Sequence, residues 1–121
     1  MLPVAVDAMG GDNAPGEIVA GARRADEMGD TGGLPVLDAG EVIAMDAEPG
    51  ASVRRMKDSS LVRAAEAVRD GTASAMVSAG NTGATMASAL LRMGRIRGVT
   101  RPAIATLLPA PGTTPTVLLD A

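Results

Sequence analysis

Twice along this chain a short apolar run leads through a glycine-rich loop into a segment with helical spacing. That order of strand, glycine loop and helix narrows the accessible folds to the α/β class. In the first unit Val4-Ala5-Val6-Asp7 reads as a short buried strand and runs into Ala8-Met9-Gly10-Gly11-Asp12-Asn13-Ala14-Pro15. A helix is predicted over about Pro15 to Met28. Proline suits its first turn, Glu17 complements the positive end of its dipole, and Ile18, Ala22 and Ala25 share one face that closes before Gly29. In the second unit Ala73 to Ser78 reads as a buried strand, Ala79-Gly80-Asn81-Thr82-Gly83 as the loop, and the following segment as a helix. Met86, Ala89, Leu90 and Met93 fall on one face of that helix, which stops at Gly94.

The intervening sequence is less regular. Asp30 to Gly33 is a polar, glycine-rich break, and Leu34 to Leu37 and Glu41 to Met45 read as short extended pieces around Asp38-Ala39-Gly40. From Ser60 a helical pattern returns: Ser59 or Ser60 can cap it, Leu61, Ala64, Ala65 and Val68 recur at helical spacing, and Gly71 stands where it ends. Ala103 to Leu108 and Thr116 to Leu119 are two further strand candidates, separated by the proline-rich turn Pro109 to Pro115. Strands alternating with helices predict a parallel or mostly parallel sheet in a single α/β domain over residues 1–121.

Composition restricts both the core and the chemistry. The chain has no Phe, Tyr, Trp, His or Cys, so its apolar contacts come from Ala, Val, Leu, Ile and eight Met residues. Without Cys or His, zinc fingers, Cys–His or Ser–His–Asp nucleophile pairs, histidine-ligated haem and disulfides are excluded. A net charge of −3, with basic residues interspersed among acidic ones and no stacking aromatics, argues against nucleic acid. No apolar run approaches the roughly 20 residues that span a bilayer, and no export signal is apparent, so a cytoplasmic location is the expectation.

Three segments carry candidate chemistry. Ser78-Ala79-Gly80-Asn81-Thr82-Gly83 lies between a strand and a helix, where backbone N–H groups freed by glycines converge with the helix dipole on an anion; the alternative is a plain glycine turn. It lacks the Gly-Lys-Ser/Thr ending of a Walker loop and the third glycine of a dinucleotide fingerprint. Asp7-Ala8-Met9-Gly10-Gly11-Asp12 sets two carboxylates around a glycine pair at the carboxyl end of the first strand, either to orient a substrate or proton or to make local turns. Arg54-Arg55-Met56-Lys57-Asp58-Ser59-Ser60 places the chain's only lysine and two arginines just before a helix start. This segment reads either as the partner of an anion or as a solvated basic turn with a serine cap. Met86 and Met93 read as core filler, and Arg92, Arg95, Arg97 and Arg101 as charges complementing a helix end.

Taken together, Val4 to Pro15, Lys57-Asp58-Ser59-Ser60 and Ser78 to Ala84 resemble the N-terminal part of the PlsX family, the bacterial acyl-ACP:phosphate acyltransferases. Arg101-Pro102-Ala103 and Val117-Leu118-Leu119-Asp120 resemble its continuation. The resemblance covers nearly the whole chain except around Gly29 to Gly33, where the family has an additional strand and helix. Family members are longer, and the chain reads as the N-terminal portion of their fold.

That resemblance implies a three-layer α/β/α sandwich similar to phosphotransacetylases and isocitrate dehydrogenase-like enzymes, and a homodimer. It also implies transfer of a fatty acyl group from acyl carrier protein to inorganic phosphate, with no metal or nucleotide cofactor. Phosphate is then the nucleophile, and the protein must position it and stabilise an oxyanion. On this reading Asn81, Thr82 and Lys57 are the catalytic candidates, with Ser78, Gly80, Gly83, Ser59 and Ser60 around the phosphate and Asp7, Gly10, Gly11 and Asp12 shaping the crevice. A short-chain phosphotransacylase using acyl-CoA and a non-catalytic phosphate-binding module are the alternatives, and the reading leaves room for peripheral membrane association.

Overall fold

The computed structural model describes residues 1–29 and 31–120. Asp30, the first residue of the expected break, and Ala121 lie outside the described residues. Two short strands, β1 (Val4–Val6) and β2 (Ala75–Val77), pair in parallel, with Val4 opposite Ala75, Ala5 opposite Met76 and Val6 opposite Val77. The elements are α1 (Gly16–Glu27), α2 (Pro49–Arg55), α3 (Ser60–Arg69) and α4 (Thr82–Ser88), the last continued by a π-helical segment, Ala89–Met93. Two further strands, β3 (Ile104–Leu108) and β4 (Thr116–Asp120), close the described chain. The fold is therefore mixed α/β with one parallel pair.

The mostly parallel single sheet is not what the described residues form. β3 and β4 make an antiparallel hairpin, Ile104 opposite Asp120 and Leu108 opposite Thr116, separate from the β1–β2 pair. The physical reason is the connection: a short proline- and glycine-containing turn of residues 109–115 can only reverse the chain, because a parallel neighbour needs a crossover of a dozen or more residues. The strands expected to be buried are also open. Val4 and Val6 are about half exposed, each strand having one neighbour rather than two. The extended pieces expected at 34–37 and 41–45 form no strand; only Glu41 bridges, in parallel fashion, to Ser59.

The core gathers around α3. Leu61 and Val62 from this helix meet Ile43, Val53 of α2 and Ala84 of α4, with Ala47, Met56, Met76 and Ala87 packed around them. Leu61, Ala64 and Ala65 lie on the buried face as the spacing predicts, joined by Val62 and Ala67, while Val68 sits at its edge. A core of small aliphatic side chains brings backbones close: α3 packs on β1, β2, α4 and the π segment, and α2 on α4. Close approach shows at Gly83, where a β-carbon would fall 2.7 Å from Cγ of Pro49. Ser59 caps α3 from a fully buried position, and Gly71 leaves the helix at φ +73°, a left-handed conformation suited to glycine. On α1 the expected face of Ile18, Ala22 and Ala25 is the half-buried one, and no residue of this helix is fully buried.

Candidate functional site

Parallel pairing puts the carboxyl ends of β1 and β2 side by side, so the two glycine loops that follow them meet. Asp7, which is buried, anchors the meeting point. Its N–H donates to Val77 O at 2.9 Å, its Oδ1 accepts from Met9 N at 3.2 Å, and its Oδ2 accepts from Ser78 Oγ at 2.7 Å. Ser78 Oγ in turn accepts from Gly80 N at 3.1 Å. The carboxylate thus fixes the serine, and the serine fixes the turn of the second loop.

Gly10 makes this crossing sterically feasible. A β-carbon there would stand 2.5 Å from both Asp7 Oδ2 and Ser78 Oγ and 2.9 Å from Gly80 N. Gly11 lies against Ala79 with φ +124°, and a β-carbon on Gly80 would come within 3.1 Å of Gly10 Cα. Of the sequence candidates, Asp7, Gly10, Gly11, Ser78 and Gly80 are therefore brought together, whereas Asp12 is exposed at the edge of its loop.

Asn81 terminates the loop and organises the start of α4. Its Oδ1 accepts from Ala84 N at 2.9 Å and its backbone carbonyl accepts from Thr85 N at 2.9 Å. Its Nδ2 donates to Met45 O at 2.9 Å and Ala47 O at 3.0 Å, fastening the 44–47 segment to the helix end. The first-turn N–H groups of Thr82 and Gly83 have no intrahelical acceptor and point out of the helix end, beside the exposed Thr82 hydroxyl. In this arrangement Asn81 positions donors, and Thr82 and Gly83 present them.

Lys57, Ser59 and Ser60 stand on a separate junction, between α2 and α3. Ser59 Oγ accepts from Val62 N, Ser60 N donates to Glu41 O, and Glu41 Oε2 accepts from Asp58 N at 3.0 Å. Asp58 binds Arg63, at 2.8 Å from its Nε, and Gly40 N at 3.0 Å, and these two partners hold its carboxyl below the usual carboxylate range, the arginine contributing most. Lys57 is exposed. Among the described residues no hydrogen bond or ion pair ties Lys57, Ser59 or Ser60 to the 78–83 loop.

Beside the loop runs an open groove of about 440 Å³. It is lined by Ser78, Gly80 and Thr82 of the loop and helix start, by Met86, Ala89 and Leu90 of the helical run, and by Ile96, Val99 and Ile104 of the chain that follows. Met86, expected as core filler, is thus on the groove wall, and Met93 is exposed. The face of α4 that enters the core is instead that of Ala84 and Ser88. Arg92, read as a charge complementing the helix end, ties the elements together: it is largely buried, its Nη2 donates to Val53 O at 3.0 Å, and its Nε lies 4.0 Å from Glu66 Oε1.

Sequence reasoning missed α2, the Arg92 tie to it and the Asn81 tie to the 44–47 segment before it. The signal for the helix was Glu48-Pro49, a carboxylate that can accept first-turn N–H groups followed by proline at the first helical position. Glu48 accepts from Gly50 N and Ala51 N, and these bonds draw its pKa below the ordinary value. No local signal marks Asn81 or Arg92 as ties, because their acceptors lie more than thirty residues away.

Residues 30–121 match the family model described as fatty acid synthesis protein. The chain is 50% identical to a phosphate acyltransferase of Pelotomaculum thermopropionicum, a match that covers 99% of this chain and 41% of the relative. It is 47% identical to a phosphate acyltransferase of Desulforamulus reducens, covering 100% and 42%, and 48% identical to one of Desulfitobacterium hafniense strain Y51, covering 90% and 39%. It spans about two-fifths of the length of these relatives. The Desulforamulus match runs over 143 positions against the 121 residues of this chain, so the relative carries additional residues inside it.

Proposed function

The chain belongs to the fatty acid synthesis protein family, and on that premise we propose that the whole protein transfers a fatty acyl group from the thioester of acyl carrier protein to inorganic phosphate. The observation that carries this reading is the crossing of the two glycine loops at the carboxyl ends of β1 and β2, next to outward-pointing N–H groups at the start of α4. Two backbone donors and a hydroxyl at the positive end of a helical run suit a phosphate oxygen. Asp7 does not touch the anion on this reading. Its carboxylate would repel a dianion, and it acts by holding Ser78 and, through it, the Gly80 turn.

In the reaction an oxygen of phosphate attacks the thioester carbonyl carbon. The C–O bond forms, the C–S bond breaks, and the thiol leaves with a proton that phosphate gives up, so no protein nucleophile is required. Thr82 and Gly83 hold phosphate, Asn81 keeps their N–H groups aimed, and Lys57 supplies charge from the α2–α3 junction with the Ser60 hydroxyl beside it, whereas Ser59, a fully buried cap of α3, does not reach the anion. Phosphate fixed against the carbonyl removes the entropic cost of bringing two reactants together. The resemblance further supports a three-layer sandwich, a homodimer and a cytoplasmic protein. Among the described residues no helix is long and apolar enough to cross a membrane.

The test is acyl phosphate formation by the whole protein from phosphate and matched acyl-ACP and acyl-CoA donors. Preference for the carrier-protein donor is expected, whereas preference for short acyl-CoA would indicate a phosphotransacylase. Phosphate binding without turnover on either donor would leave a phosphate-binding module. With Lys57→Ala, KM for phosphate should rise severalfold with stability within about 0.5 kcal/mol of the parent, as for an exposed site. An unchanged KM removes Lys57 from the phosphate site.

A further inference from the structure

The groove beside the phosphate loop has a chemistry of its own. At its Thr82 end it offers hydroxyl and amide donors, and beyond Thr85 its walls are aliphatic: Met86 and Leu90 from the helical run, Ile96, Val99 and Ile104 from the chain that follows. The one charged lining residue, Arg95, donates through Nη1 to Thr100 O at 2.9 Å. No carboxylate, amide or aromatic side chain lines the distal part, so a nucleobase would find no stacking surface there and a sugar only the Arg95 guanidinium as a side-chain partner. The ligand that matches is an amphiphile with one polar end and a flexible apolar tail. From Thr82 to Leu90 the helical run extends about 12 Å. At the roughly 30 Å³ that a small group occupies in a liquid, the groove holds about fifteen heavy atoms. The helix winds as a π-helix at Ala89–Met93, an irregularity that clusters at functional sites.

We propose that this groove binds the acyl chain of the thioester donor, with the carbonyl at Thr82 and the methyl end between Leu90, Ile96 and Val99. The assignment rests on the acyl-transfer reading above and adds to it a chain-length determinant. The polar end of the groove is continuous with the phosphate loop, so an acyl chain lying in it would bring its carbonyl to the bound phosphate. Flexible Met and branched aliphatic side chains suit a polymethylene tail, which offers no group for directional recognition.

The test uses the whole protein with Ile96→Asp and Val99→Asp, both at solvent-exposed positions, so that a normal melting curve accompanies the change. Binding of a fluorescent long-chain fatty acid is measured first. Each methylene that loses apolar contact weakens binding about fourfold. Both variants should therefore bind the probe on the order of tenfold more weakly. The ratio of kcat/KM for a long-chain over a short-chain acyl-ACP should fall by a similar factor, since a short chain does not reach either position. Probe affinity and chain-length ratio within about twofold of the parent in both variants would overturn the assignment. If the parent makes no acyl phosphate from any donor, the transfer reading fails, and the probe still decides the groove: weaker binding in the variants supports an acyl site and unchanged binding rejects it.

Discussion

Gly10→Ala is the sharpest perturbation of the loop crossing. The added β-carbon would lie 2.5 Å from Asp7 Oδ2 and from Ser78 Oγ, whereas nonbonded heavy atoms settle at about 3.5–4.0 Å, so something must move by about 1 Å. The atoms in the way are the two halves of the hydrogen bond that joins the loops, and the third neighbour, Gly80 N at 2.9 Å, is backbone and cannot swing aside. Overpacking costs about 1–3 kcal/mol, a hydrogen bond to a charged group about 1.5–3 kcal/mol, and removing glycine from the unfolded chain returns about 0.4–1 kcal/mol. The net expectation is destabilisation by about 2–5 kcal/mol together with weaker phosphate binding, because the Ser78–Gly80 turn no longer holds. Gly21→Ala is the matched control: this glycine is inside α1 with nothing within 4 Å of a β-carbon, and the same exchange should stabilise by about 0.4–1 kcal/mol. Denaturant unfolding of both variants and isothermal titration with phosphate measure the two effects. Equal unfolding midpoints and equal phosphate affinity for Gly10→Ala and the parent would refute the reasoning that the crossing depends on glycine.

Asn81→Ala removes the α4 cap and the fastening of the 44–47 segment, and should cost about 1–3 kcal/mol in denaturant unfolding. Asn81→Asp keeps the cap oxygen but turns a second oxygen towards the carbonyls of Met45 and Ala47, so it should not rescue the loss. Arg92→Met retains the apolar stem and loses the bond to Val53 O; a cost of about 1–3 kcal/mol is expected, and an unaltered midpoint would show that water replaces the guanidinium. Asp58 and Glu48 both titrate below their ordinary values of 3.8 and 4.5. Because their folded-state pKa values are depressed, their contribution is fully present above those ordinary values and is lost as pH falls through the lowered ones. Asp58→Asn should therefore flatten the acid limb of a melting-temperature profile below about pH 4 and leave its shape at neutral pH unchanged.

The elements legible in the sequence were those with a local cause. The face of α3 follows from side-chain spacing, its cap from Ser59, and its end from Gly71, and each is settled by neighbours within a few residues. Both glycine loops could be found because glycine, proline and capping residues act where they stand. The misreadings were of partners. Residues 34–37 and 41–45 have the composition of strands but find no ladder, and the hydrophobicity of Val4 and Val6 does not say that one flank of their pair is open. Met86 repeats at core spacing, yet which side of α4 faces the core depends on where α2 and α3 pack.

By itself the sequence determined the order of strand, glycine loop and helix and the limits of α1 and α3, since these depend on backbone preferences and on capping residues that act where they stand. Only the tertiary structure decided what the candidate residues do. The parallel register of β1 and β2 brings Asp7 to Ser78 across seventy-one positions, joining two separate loops through one hydrogen bond, and the same packing assigns Ser59 to a buried cap and Asn81 to a tie between segments. A side chain's chemistry is carried by its type, but its role is set by which acceptors and charges lie within about 3 Å of it, and those come from distant parts of the chain.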